Sequence, residues 1–130
     1  MIALDTNVLA RWILRDDAEQ AEIAEGVLSG PCWVGATVFL ELGWVLLNSA
    51  KLSRAAVFGS LTVLLDMPSL QIERSTDLRR ALGRFETGGD FADMIHLATI
   101  AEVDEFATFD RKLARLAGAD MRVPIMLLGV

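Results

Sequence analysis

Short apolar runs alternate along the chain with longer stretches of helical period. Ile2-Ala-Leu4 reads as a buried strand, followed by a helix from about Asn7 to Arg15. A second helix is expected from about Asp17 to Leu28, with acids at its start, where they suit the helix dipole. Gly30-Pro31 breaks it, and Cys32-Trp-Val34 reads as a second strand. Thr37–Asn48 and Ser53–Asp66 are strongly apolar helical segments, and Leu70-Gln-Ile72 is a third short strand. Thr76–Thr87 predicts an amphipathic helix that Gly88-Gly89 ends, and Phe91–Val103 predicts another. Glu105–Thr108 reads as a fourth strand, Arg111–Ala117 as a helix and Ile125–Leu128 as a fifth strand. Short apolar strands alternating with helices predict an α/β fold: one parallel sheet of about five strands sandwiched between helices. In such sheets ligands bind beyond the carboxyl ends of the strands, so those ends are where chemistry is expected.

Length and composition narrow the class. At 130 residues the chain is expected to be a single domain spanning 1–130. Its 53% hydrophobic content excludes a disordered chain. A lone cysteine, Cys32, excludes a disulfide framework and a cysteine-based zinc site. The longest apolar run, Val123–Val130, is far short of the roughly 20 residues that cross a bilayer, so no membrane role is expected. Met1-Ile-Ala-Leu-Asp5 lacks the pattern of a secretion signal, and the cytoplasm is the expected compartment. A net charge of −6 argues at face value against a nucleic-acid partner. Ten of the 12 basic residues are arginine, however, and bound cations would offset an acidic site. Charge alone does not decide the partner.

Four of the 18 acids stand where an acid costs most. Asp5 closes the first apolar strand, and Asp110 follows the strand-like Phe106-Ala-Thr-Phe109. Glu41 is the one charge in Val38–Leu47, and Asp93 stands within Phe91-Ala-Asp-Met-Ile-His-Leu-Ala98. A buried carboxylate needs a partner or a metal, so each has a plain alternative reading as an arginine partner or a helix cap. Jointly they fall at one edge of the expected sheet. Oxygen-only ligation without a cysteine or histidine cluster suits Mg²⁺ or Mn²⁺ rather than zinc. Carboxylates around such ions activate water and stabilise phosphoryl oxygens, which is the chemistry of phosphodiester hydrolysis. Thr6 and Asn7 are expected to cap the first helix or support the ligands, and Thr108 to offer its hydroxyl nearby. Asp90 reads as an N-cap rather than a fifth ligand. His96 is expected to pack or to support the site rather than to act as the base.

Asp5-Thr-Asn-Val-Leu9, Glu41 inside an apolar helix, Asp90–Ala98 and Thr108-Phe-Asp110-Arg-Lys-Leu113 together resemble the PIN-domain ribonucleases, and most closely the VapC-like toxins of type II toxin–antitoxin pairs. The resemblance covers the whole chain in order and spacing. It implies a Mg²⁺- or Mn²⁺-dependent endoribonuclease, with Asp5 and Asp93 as principal metal ligands and Glu41 and Asp110 completing an acidic quartet. Asn7 and Thr108 would be polar supports. It further implies a homodimeric toxin and a small antitoxin that blocks the site and alone binds operator DNA.

Two other readings compete. A receiver or haloacid-dehalogenase-like phosphotransfer domain also places an Asp after strand one. The dehalogenase pattern needs a second acid where this chain has Asn7, and Lys112 is misplaced for a receiver. A catalytically silent module that acts only with a DNA-binding partner is the second alternative, which the intact quartet opposes.

The two apolar helices carry a separate expectation. A surface helix needs a polar face, and one apolar nearly all round is buried or meets another chain. Val38, Phe39, Trp44, Phe58, Leu61 and Leu65 are therefore expected to line a groove for an amphipathic antitoxin segment.

Overall fold

β1 (Ile2–Ala3), β2 (Cys32–Val34) and β3 (Leu70–Ile72) lie side by side in that order, all parallel, with Ile2 opposite Cys32 and Cys32 opposite Leu70. Helices between successive strands carry the chain back to the same end, which makes parallel pairing possible. In this computed structural model, residues 1–117 and 123–129 are described, and the chain divides into two compact units, Met1–Ser75 and Thr76–Val130.

The first unit holds α1 (Thr6–Leu14), α2 (Ala18–Leu28), α3 (Ala36–Trp44) and α4 (Arg54–Asp66). Asp17 caps α2 by accepting from the Gln20 N–H at 3.0 Å, and Arg11 ties the α1–α2 corner through Asp16 and Gln20. Central strand β2 buries Cys32 and Val34, as expected of a strand covered on both sides. Phe39, Leu42, Leu46, Leu61 and Leu64 are wholly buried and form the core under α3 and α4. The helix expected to run to Asn48 changes character after Trp44: Val45–Ser49 is a π-helical turn, closed by Ala50 N–H donating to the Val45 carbonyl at 2.9 Å.

The second unit runs from α5 (Ser75–Glu86) through α6 (Phe91–Thr99), β4 (Phe106–Thr108) and α7 (Arg111–Leu116) to β5 (Ile125–Leu127). β4 and β5 pair in parallel, Phe106 opposite Ile125. Leu78, Leu82, Phe85, Met94 and Leu97 are buried, and Phe85 meets Phe91 edge to face at 5.3 Å. α6 stops at Thr99, short of the expected Val103. Its Thr99 hydroxyl turns back to the Ile95 carbonyl at 2.7 Å, and Ile100 is already extended. Such back-bonding competes with helical continuation.

The α/β architecture with parallel strands is the expected one, and all five strands are present. Within the first unit the order is β1-β2-β3, and within the second β4 pairs with β5. Each strand is only two or three residues long, so a ladder needs no more than a few hydrogen bonds to close or to end.

Candidate active site

Asp5 leaves β1 directly into α1. Its carboxylate caps that helix, accepting from the Thr6 N–H at 2.7 Å, while among the described residues its other oxygen meets no protein donor. The cap role falls to Asp5 rather than to Thr6. Thr6 is 3% exposed and its hydroxyl donates to a Glu41 carboxylate oxygen. A buried, rigid donor thus holds an exposed acid of α3 against the start of α1, which places Glu41 close to Asp5 within the first unit.

Asn7 is exposed and lines a groove of about 340 Å³ between α1 and α2 with Val8, Arg11, Gln20, Ile23, Ala24 and Val27. A further carboxylate at this edge escaped the sequence reading. Glu73, immediately after β3, accepts from the Ala36 N–H at 2.9 Å and so caps α3, whose own N-cap Gly35 has no side chain to do it. The signal was available: an acid directly after a short apolar strand, as at Asp5.

In the second unit Asp90 caps α6, accepting from the Asp93 N–H at 3.0 Å, as its place after Gly88-Gly89 predicted. Asp93 is half-buried, and its carboxyl is held above its ordinary value of 3.8. Loss of hydration is the main cause, the Asp90 charge adds to it, nearby His96 opposes it, and Asp110 raises it further. Asp110 caps α7 through the Leu113 N–H at 3.0 Å, and its own N–H donates to the Thr108 hydroxyl at 3.0 Å. Thr108 therefore fixes the backbone that carries Asp110. His96 is exposed rather than packed, and acts on Asp93 by charge.

Each unit thus holds its own set of carboxylates: Asp5 and Glu41 in one, Asp93, Asp90 and Asp110 in the other. Among the described residues no arginine or lysine pairs with Asp5, Glu41, Asp93 or Asp110. The chain matches the PIN domain family over residues 2–119. It belongs to that family. A PIN domain is a nuclease-type fold whose members generally use divalent metal ions. No curated protein and no solved structure matches this PIN domain at a significant level.

The donors suit a hard divalent ion, being carboxylate oxygens without basic partners, one of them half-buried. Among the described residues no three His, Cys, Asp or Glu side chains form a group that could hold a metal. Mg²⁺ does not require such a cage, since one or two carboxylates with waters and substrate phosphate suffice. Nor is any helix of the described residues long and apolar enough to cross a membrane.

The groove expected over α3 and α4 needs correction. Phe39 and Leu61 are 0% exposed and belong to the core; Val38, Phe58 and Leu65 are half-buried. Only Trp44 of the six stands open, at 58%. Along α3 and the π-helical turn after it the positions open to solvent are mostly polar: Thr37, Glu41, Trp44 and Asn48.

Proposed function

We propose that this PIN domain is a Mg²⁺- or Mn²⁺-dependent endoribonuclease, with Asp5, Glu41, Asp93 and Asp110 as its working carboxylates. The observation that carries the reading is Asp93: a half-buried acid beside Asp90 and Asp110, without a basic partner among the described residues, is a poor structural choice and a good cation ligand. Bound divalent metal would supply activation of a water and neutralisation of charge on the phosphoryl oxygens. Thr6 holds Glu41 in place, Thr108 holds the backbone at Asp110, and helix caps hold Asp5 and Asp110 by one oxygen each. His96 tempers the charge at Asp93 rather than taking a proton from the nucleophile.

In the same reading the protein is the toxin of a type II toxin–antitoxin pair, VapC-like, homodimeric and cytoplasmic. Its antitoxin is small and alone contacts operator DNA. The excess of acids, −6 overall, favours an antitoxin segment that brings an Arg or Lys to the carboxylates and displaces metal. The test is incubation of purified protein with a mixed RNA pool and Mg²⁺ or Mn²⁺, with EDTA and Asp93→Asn as controls. Metal-dependent cutting lost in Asp93→Asn is expected; cutting that persists in Asp93→Asn would overturn the assignment.

A further inference from the structure

α3 and the π-helical turn that follows it share one solvent-facing stripe. Thr37, Glu41, Trp44 and Asn48 recur at helical spacing and are all exposed, whereas Phe39, Leu42 and Leu46 on the other side are wholly buried. That burial fixes the rotation of the helix, so Trp44 stands one turn from Glu41 on the same face. Among the exposed positions it is the single apolar side chain, and the apolar neighbours one turn to either side, Leu40 and Leu47, are half-buried. One exposed indole among hydrogen-bonding groups is the composition of a nucleobase platform, where the ring takes the stack and polar neighbours take edges and sugars. The backbone at Trp44 is held: the Asn48 amide donates to its carbonyl at 3.1 Å, and the π-helical turn starts directly after it.

Charge limits how RNA could be held on this face. α3 contains no basic residue, and the chain as a whole carries −6. α3 thus offers no cation to a phosphate, and a base held on this face is held by contacts such as stacking, which do not depend on the sign of nearby charge. We propose that Trp44 stacks an unpaired base of the RNA beside Glu41, which selects single-stranded substrate; the proposal rests on the ribonuclease reading above.

The experiment uses the full chain and variants Trp44→Ala and Trp44→Phe, with folding checked by thermal denaturation. Anisotropy of a fluorescein-labelled single-stranded RNA is titrated in Ca²⁺ at two salt concentrations, with a duplex of equal length as control. Trp44→Ala should weaken single-strand binding by about 5- to 150-fold, equally at both salts. Trp44→Phe should keep most of the affinity, and duplex affinity should not change. In cleavage, Trp44→Ala should raise KM and leave kcat. Equal single-strand affinity in all three proteins overturns the proposal. So does a loss in Trp44→Ala confined to self-association or to antitoxin binding, which would make the indole a protein contact. Trp44-dependent RNA binding without cleavage in any metal would keep the stacking site and sink the nuclease reading.

Discussion

Thr6 and Glu41, 35 positions apart, are joined by a hydrogen bond from a buried hydroxyl to an exposed carboxylate. The donor cannot wander, because Thr6 is packed into the first turn of α1, so the acid is held by the fold rather than by its own rotamer preference. This fixes one oxygen of Glu41 and leaves the other for chemistry.

Thr6→Val keeps the shape and removes the donor. A hydrogen bond contributes about 0.5–1.5 kcal/mol net, so the variant should melt slightly lower and remain folded. RNA cleavage should fall much further than stability, and Thr6→Ser should restore it. Unchanged cleavage in a folded Thr6→Val protein would mean that the orientation of Glu41 does not matter.

Asp5 and Asp110 each serve as helix cap and as proposed ligand, and the two roles separate by choice of substitution. Asparagine caps about as well as aspartate, whereas alanine in place of a cap costs about 0.5–2 kcal/mol. Asp110→Asn should therefore melt near the unmodified protein, and Asp110→Ala several degrees lower; the same order is expected at Asp5. Both substitutions at either site should abolish cleavage. Normal cleavage by the asparagine variants, measured at matched metal, would reduce these acids to caps.

These double roles bear on what the residue pattern alone can reveal. Asp90 was legible as a cap because its evidence is local: Gly88-Gly89 before it and a helical period after it. The strand-end positions of Asp5 and Asp110 were legible for the same reason. Thr6 as the holder of Glu41 was not, since nothing in either segment names its partner across the fold. The apolar density of Thr37–Asn48 was read correctly, but density does not say which side packs. Scoring Trp44 as apolar hid the stripe that it forms with Thr37, Glu41 and Asn48. Glu73 follows Leu70–Ile72 as Asp5 follows the first strand, but no motif-like residues flank it to mark it out.

The raised proton affinity of Asp93 gives a pH prediction of definite sign. A carboxyl that binds its proton more tightly when folded favours the folded state at low pH, and that contribution is lost as pH rises through the folded value. In metal-free buffer at neutral pH the ionised Asp93 is therefore a cost, set by lost hydration and by Asp90 and Asp110. Asp93→Asn should melt higher than the unmodified protein at pH 7 without metal. The difference should shrink as pH falls through the folded value and vanish below the ordinary value of 3.8. Saturating Mg²⁺ should narrow the neutral-pH gap by stabilising only the unmodified protein. A gap that is constant with pH would point to packing rather than charge.

Gly89 supplies the last prediction, because it sits between the end of α5 and the cap of α6. Its N–H donates to the Arg84 carbonyl at 3.1 Å, closing α5, and the next residue is Asp90. A Cβ at this position would lie 2.6 Å from both Cγ and Sδ of Met94 and 3.2 Å from the Arg84 carbonyl oxygen. Those distances demand movement of a buried side chain and crowd a backbone oxygen, and overpacking of this kind costs about 1–3 kcal/mol. Gly89→Ala should lower the midpoint of urea unfolding accordingly. It should also lower cleavage, since a shifted Gly89 carries Asp90 away from the Asp93 N–H that it holds at 3.0 Å. Met94→Ala alone should destabilise by opening a cavity, but in the double variant the new methyl group occupies part of that space. The two substitutions should therefore be less harmful together than their sum, with a coupling of about 0.5–3 kcal/mol. Strict additivity across the four proteins would show that the clash with Met94 is relieved elsewhere, and that Gly89 is required for its close approach to the Arg84 carbonyl instead.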